Sequence, residues 1–410
     1  MVLASCTAAI PSQPSPAPDT PRTQIDAMLR DRAAALNEGD IDAFLAPLAL
    51  KYVDLERQIV EGAATMPITS YDIVLHPGQE AISENELRGT HMSLLYLYED
   101  LPPDNQFRIT FEYDFTFQDG SWMITRSVPV EGLALPPWVI GPTLFTRSDH
   151  FLVLFRPEVT GIQDIVGLAE QAWDSMSGLP IEIDDVMLIT LANSPAQYAD
   201  FTSTSLGASS VAQAETIFEI APQRIRSISR SIVENLPRFR GAADGAETLR
   251  HEIVHIALST LTLPFTPSWV AESAAMHFAE QRPTSTWRRG IRENRFNALT
   301  FAELGTRASL GAHDASGLTA SFEYAYAGAA ANYLIETFGV EAYLEFYSSY
   351  SKVPAQEVYD RLPDEGVEPR RSPKLLELGA ETTRMALLTS FGLTEGALDV
   401  AVRDWIREQI

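Results

Sequence analysis

The chain has 410 residues, 45% of them hydrophobic and 21% charged, which are globular proportions for two domains or for one large domain with an appendage. Thirty basic against fifty-five acidic side chains leave a formal net charge of −25 with no basic run to offset it, which argues against nucleic acid and anionic lipid headgroups as partners. No window of about 18 apolar residues is present to span a bilayer, and a single cysteine excludes an intrachain disulfide and a cysteine-built metal site.

That cysteine closes the stretch Leu3-Ala4-Ser5-Cys6. The stretch resembles the lipobox at which bacterial lipoprotein precursors are cleaved and the cysteine is acylated. Only Met1 and Val2 precede it, where a basic segment and an apolar run belong, so the resemblance implies a start further upstream or a trimmed leader. The other reading is a free thiol in a frayed terminus. Pro11, Pro14, Pro16, Pro18 and Pro21, interleaved with Ser, Gln, Ala and Asp, complete residues 1–21 as an extended, solvated spacer. With a lipid on Cys6, this spacer would hold a folded body outside a bacterial membrane.

Helical spacing of Ile25, Met28, Leu29, Ala33 and Leu36 predicts a helix from Thr23, ended by Asn37-Glu38-Gly39. A second helix opens after Asp40 with Ile41, Phe44 and Leu45, and a third covers Tyr52 to about Val60. The period then changes to two. Phe107, Ile109, Phe111, Tyr113, Phe115 and Phe117 alternate with polar residues, the mark of a half-buried antiparallel strand. Asp119-Gly120 is a two-residue hairpin turn into a return strand at Trp122. Ser70 to Leu75 and His91 to Glu99 supply two further strands.

Helices followed by a curved antiparallel sheet describe an α+β module over residues 22–131. The order, with "RAAALNEGDIDAFL" early and "DGSWMITR" late, resembles the nuclear transport factor 2-like (SnoaL-like) cone. That resemblance implies a helix-covered sheet whose pocket often serves as a docking surface. No acid–base constellation marks this module as catalytic, and His76 and His91 read as surface or strand-end histidines.

Gly132 to Gly141, with Pro136, Pro137 and then Pro142, reads as a link to a second domain over residues 140–410. Within it, His150 to Phe155 and Asp185 to Thr190 read as strands, Gln163 to Met176 as an amphipathic helix, and Ser231 to Glu234 as a short strand. From Ala246 the pattern is mainly helical.

The chemistry lies in His251-Glu252-Ile253-Val254-His255. On a helix, positions i and i+4 differ by about 40° in azimuth, so both imidazoles face one way. Glu252 flanks that face, and Leu249, Ile253, Ile256 and Ala257 line the opposite side. Two neutral imidazoles can bind Zn²⁺, and a carboxylate beside them can take a proton from water. Downstream, Pro267-Ser268-Trp269-Val270-Ala271-Glu272-Ser273-Ala274-Ala275 sets one carboxylate in a small and apolar run, an awkward place unless something pairs with it. A catalytic zinc wants three protein ligands, and His251, His255 and Glu272 make that set.

"HEIVH" followed by "PSWVAESAA" resembles the gluzincin zinc peptidases, specifically the bacterial peptidase-MA-like family. "YAYAGAAANYLIETFG" from Tyr324 to Gly339 and the closing "SFGLTEGALDVAVRDWI" extend the likeness over residues 140–410. The resemblance implies a mainly helical peptidase domain with a small sheet, zinc on His251, His255 and Glu272, and Glu252 as general base. It also implies an oxyanion donor on a later helix: Tyr324, nine residues before Tyr333, with Tyr326 as runner-up. Gluzincin substrates lie along an edge strand near the zinc helix, and Ser231 to Glu234 is the candidate for it. Two departures stand out. Ser273 replaces the usual Gly, and Met276 stands where thermolysin-type enzymes carry an Asp, so ligand orientation must come from elsewhere.

Asp244 and Glu247 read as helix N-terminal charges, His277 as facing another way, and His150 and His313 as unsupported by spacing. The expected function is a zinc metallopeptidase acting on peptide or protein substrates, membrane-anchored outside the cytoplasm. The rivals are a non-catalytic surface lipoprotein that uses both domains as a binding scaffold, and an aminohydrolase or epoxide hydrolase on the same metal set.

Overall fold

A computed structural model describes residues 20–76, 81–83, 85–130, 134–202, 210–240, 245–310, 318–362 and 372–410. Cys6, Asp244 and His313 lie outside the described residues. Helices α1 (Pro21–Glu38), α2 (Ile41–Leu45) and α3 (Leu50–Ala63) come first, then strands β1 (Ile68–Leu75), β2 (Ala81–Ile82), β3 (Glu86–Tyr98), β4 (Phe107–Gln118) and β5 (Ser121–Pro129). The sheet order is β1-β3-β4-β5, with β2 on β3.

After α4 (Pro137–Ile140) come β6 (Leu144–Arg147), β7 (Phe151–Phe155), α5 (Ile162–Asp174), β8 (Met187–Ala192), α6 (Pro195–Phe201), β9 (Ala212–Ala221) and β10 (Arg224–Asn235). Then follow α7 (Leu236–Phe239), α8 (Gly245–Ala257), α9 (Ser268–Phe278), α10 (Thr284–Arg292), α11 (Phe301–Gly305), α12 (Leu318–Phe338), α13 (Val340–Ser348), α14 (Ala355–Tyr359), α15 (Pro373–Phe391) and α16 (Glu395–Glu408). The architecture is α+β, as the sequence predicts. Among the described residues no single helix is long and apolar enough to cross a membrane.

The chain forms two compact units. The first comprises the chain through Arg57, Tyr71–Leu94 and Thr110–Pro129; the second comprises Gln58–Ser70, Leu95–Ile109 and Val130–Ile410. In the first, Thr20 caps α1 by accepting the Thr23 N–H, Pro21 opens it, and Gly39 at φ 77° ends it. Asp119 and Gly120, at φ 52° and 84°, make the hairpin turn whose twist matches the flanking strands. Phe111, Tyr113 and Phe115 are buried, whereas Phe117 at the strand end is 36% exposed.

The centre of this unit is ionic. Arg32, 1% exposed, donates to Glu56 at 2.5 Å, to the Tyr113 hydroxyl at 3.2 Å and to the Phe44 carbonyl at 2.8 Å. Tyr113 and Ser127 each donate to the other Glu56 oxygen at 2.5 Å. Both charges are therefore saturated, which is the condition for tolerating such a pair in a core. Arg32 lies on the buried face of α1 with Ile25, Leu29 and Leu36.

In the second unit a mixed sheet runs β6-β7-β8-β10-β9. β7, β8 and β10 are parallel neighbours, and β6 and β9 pair antiparallel at the two edges. All six residues of β8 are buried, as a central strand covered on both faces requires. The stretch Ser231 to Glu234 is thus neither short nor an edge. It belongs to the 12-residue β10, interior between β8 and β9, and β9 is the edge strand. Asn105 exchanges two hydrogen bonds with the Arg230 backbone at 2.7 and 3.1 Å, and the Arg230 side chain reaches Asp104 at 3.0 Å and Asp184 at 3.3 Å.

The Arg32 network sets the first expectation. Arg32→Met leaves Glu56 buried without its cation and should cost about 3–5 kcal/mol of stability. The double replacement Arg32→Met with Glu56→Leu should recover most of that loss. Urea unfolding of the three proteins checks it: a single variant as stable as wild type would show that the pair does not hold the first unit together.

Candidate metal centre

Three helices of the second unit assemble the site. α8 packs Leu249, Ile253, Val254 and Ile256 into the core, which turns His251 and His255 toward α9. α9 starts at Ser268, directly after Pro267. On it, Trp269 is wholly buried against Phe301 at 4.6 Å, which fixes the rotation that presents Glu272 to α8. Ser273 beside it is held by hydrogen bonds to the Val270 carbonyl at 2.8 Å and to the Tyr343 hydroxyl at 2.9 Å.

The small residues of α12 have a packing reason. A Cβ on Gly328 would stand 2.9 Å from the Met276 sulfur, so glycine lets α12 come this close to α9 without displacing the Met276 side chain. That approach brings Tyr324 to the site, within electrostatic reach of Glu272. The charge of Glu272, with burial, holds the phenol proton far above its ordinary pKa. Tyr326 points away. Its hydroxyl donates to Asp399 at 3.0 Å and its ring stacks between Phe301 at 4.6 Å and Phe296 at 5.6 Å.

The ligating atoms converge. His251 Nε2 lies 3.0 Å from Glu272 Oε2 and 3.2 Å from His255 Nε2, and His255 Nε2 lies 3.4 Å from Glu272 Oε2. Ligands about 2.0–2.1 Å from one tetrahedral zinc stand about 3.3–3.4 Å from one another, so the spacing fits. Among the described residues, this is the group of His, Cys, Asp and Glu able to hold a metal ion. Burial by itself lowers the His251 pKa, but the hydrogen bond and charge of Glu272 prevail and raise it to about 9. Burial works against the Glu272 carboxylate too, yet His255 and His251 pull it well below the ordinary range.

Orientation of the first imidazole comes from Gln281. Its Oε1 lies 3.0 Å from His251 Nδ1, the contact that points Nε2 at the cluster. Glu280, in the left-handed conformation at φ 58°, reverses the chain after α9, and the Gln281 N–H closes the turn on the Met276 carbonyl at 2.8 Å. A non-glycine αL residue leaves no reliable mark in sequence, so this partner is not legible there.

Glu252 stands outside the cluster. It is 8% exposed, and its Oε2 accepts the Ala214 N–H of β9 at 2.6 Å, which places the carboxylate between the histidine helix and the sheet edge. His277 bonds Asn332 at 2.7 Å, away from the cluster. His150 stacks on Trp173 at 3.4 Å and bonds Glu170 at 2.6 Å. In the first unit, His76 bonds Ser93 at 2.7 Å and His91 is exposed. Glu247 lies in the first turn of α8.

The arrangement can hold one cation on an N,N,O set, with the Glu252 carboxylate and a neutral phenol nearby. Compared with protein-family models and with curated proteins, the chain finds no match in either.

Proposed function

We propose that the chain is a zinc-dependent metallopeptidase. The observation that carries this reading is the convergence of His251, His255 and Glu272 to 3.0–3.4 Å, with Glu252 of α8 held apart from them by the Ala214 N–H of β9. Zinc on this set would supply Lewis acidity toward a scissile carbonyl and make an attacking water more acidic. Glu252 takes the proton of that water and passes it to the leaving amine. Tyr324, neutral and beside Glu272, donates its O–H to the developing oxyanion. An extended peptide adds to the open edge of β9, with main-chain hydrogen bonds setting its register. Anchoring through an acylated Cys6, outside the cytoplasm, belongs to the same reading, and retention of a Cys6→Ser form on membranes equal to wild type would remove it.

The assigned roles separate under substitution. Glu252→Gln should keep zinc while hydrolysis falls by about 10²–10⁴-fold. His251→Ala, His255→Ala and Glu272→Ala should lose metal and activity together, and Tyr324→Phe should keep metal and lose about 10²–10³-fold in turnover. Zinc content by atomic absorption and hydrolysis of a peptide that wild type cleaves measure both. Undiminished hydrolysis in Glu252→Gln would sink the mechanism, and a wild type that takes up zinc but cleaves no peptide in a degenerate library would favour the scaffold reading.

Metal uptake should also depend on pH. Below about 9 the metal-free His251 carries a proton that zinc must displace, so apparent affinity rises with pH and levels off above that value. Competition titrations between pH 6 and 8 should show a rise of about tenfold per unit. A flat response would mean that His251 is not the protonated ligand.

A further inference from the structure

The described residues contain four non-glycine positions with positive φ: Asp100, Asp119, Asn294 and Glu280. Asp and Asn tolerate that region because a short polar side chain can bond the local backbone. Glu280, at φ 58°, is the exception in side-chain type, and it sits where α9 ends. Its N–H bonds the His277 carbonyl at 2.9 Å, and the Gln281 N–H bonds the Met276 carbonyl at 2.8 Å. With Ala279 as the cap, these are the two bonds of a Schellman ending, whose left-handed position usually carries glycine.

This turn decides where Gln281 goes. Glu272 and Gln281 are nine residues apart, so a continued α9 would aim them about 180° apart and turn Gln281 away from α8. Reversal at Glu280 returns it, and Gln281 Oε1 reaches His251 Nδ1 at 3.0 Å. Met276 is the α9 residue one turn beyond Glu272 on the same face, but its sulfur lies against Gly328 of α12 and a thioether is a weak acceptor. An acceptor on Nδ1 holds the proton of that nitrogen and leaves Nε2 its lone pair for a metal. The flanking residues fasten the turn. Glu280 lies 3.5 Å from Arg250 of α8, and Arg282 lies 3.3 Å from Glu336 of α12.

We propose that the left-handed turn at Glu280 is the positioning element of the metal centre: it seats the Gln281 amide on His251, so that zinc affinity depends on a backbone conformation outside the ligand set. The Glu280 side chain is 81% exposed, and an ion pair at such a rim contributes little. Backbone rather than charge is therefore the active part. An unfavourable φ held in place beside a site is strain kept where a fixed geometry is needed. This role rests on the zinc reading of His251, His255 and Glu272 and is independent of peptide hydrolysis.

The experiment is the zinc dissociation constant of the full chain, measured by competition with a chelator of known affinity. Gln281→Leu should weaken zinc binding about 10–100-fold, the scale on which partners of metal ligands act. Glu280→Val, which puts a β-branched residue in the left-handed region, should weaken it by at least about tenfold. Glu280→Gly keeps the turn and loses only the exposed ion pair, so zinc affinity should stay within about twofold of wild type. The same variant should raise the folding constant of the metal-free protein about threefold in urea unfolding, because glycine enters the left-handed region without strain. Insertion of one glycine after Glu280 displaces Gln281 without strain and takes the place of Glu280→Val should that variant fail to fold.

Coupling separates positioning from a general loosening of α9. Glu280→Val, or the insertion, combined with Gln281→Leu should cost no more than the larger single loss, because both remove the same contact. Losses that add would show that the turn acts on something other than Gln281 and would overturn the role. Wild-type zinc affinity in Gln281→Leu, in Glu280→Val or in the insertion would overturn it too, as would a large loss in Glu280→Gly, which would assign the effect to the side chain. Peptide cleavage is scored on the same preparations. A wild type that binds zinc and cleaves nothing sinks the peptidase reading, and the zinc constants still decide the role of the turn. A wild type that binds no zinc overturns the metal centre and the role together.

Discussion

Two imidazole nitrogens 3.2 Å apart, with a carboxylate oxygen 3.0–3.4 Å from both, cannot coexist as three bare lone-pair acceptors in a buried place. Positive charge has to sit among them. In the metal-free protein a proton on His251 serves, held there by Glu272. The surrounding helices exist to impose this crowding. Gly328 against Met276 sets the distance of α12 from α9, Trp269 against Phe301 sets the rotation of α9, and Gln281 sets the tilt of the first imidazole. Removing any one would relax the crowding that makes a cation welcome.

The same residue type behaves in opposite ways at two buried places. Glu56 has Arg32, Tyr113 and Ser127 on its oxygens, and its charge is absorbed into the architecture of the first unit. Among the described residues, neither Glu234 oxygen has a hydrogen-bond partner. A saturated buried carboxylate is what a fold needs to accommodate charge.

The alternation in β4 and the helical spacing in α1 were legible because each element buries one face, and burial is what periodicity encodes. Glu272 was legible for the opposite reason: a lone carboxylate in an apolar run demands a partner. β9 was not, since its "AQAETIFEIA" alternates weakly and its residues are mostly half-buried. With β9 unseen, β10 looked short, and Ser231 to Glu234 took the edge role that β9 holds. Glu234, read only as a strand residue, carried no sign of its isolation, because an orphaned carboxyl is defined by what fails to approach it. Tyr324 and Tyr326 could not be separated by type or spacing alone. On α12 they point about 200° apart, one toward Glu272 and the other toward Asp399.

The edge strand ties these parts together under the proposed function. β9 holds Glu252 through the Ala214 N–H and, among the described residues, pairs with β10 alone. A peptide added to its open edge would be placed by the same backbone that places the base. The cut position would then follow from strand register, in steps of one residue pair, with side-chain pockets left to choose the sequence. Displacing β9 would move base and substrate together, so their mutual geometry is protected from small distortions that would separate groups held on independent loops.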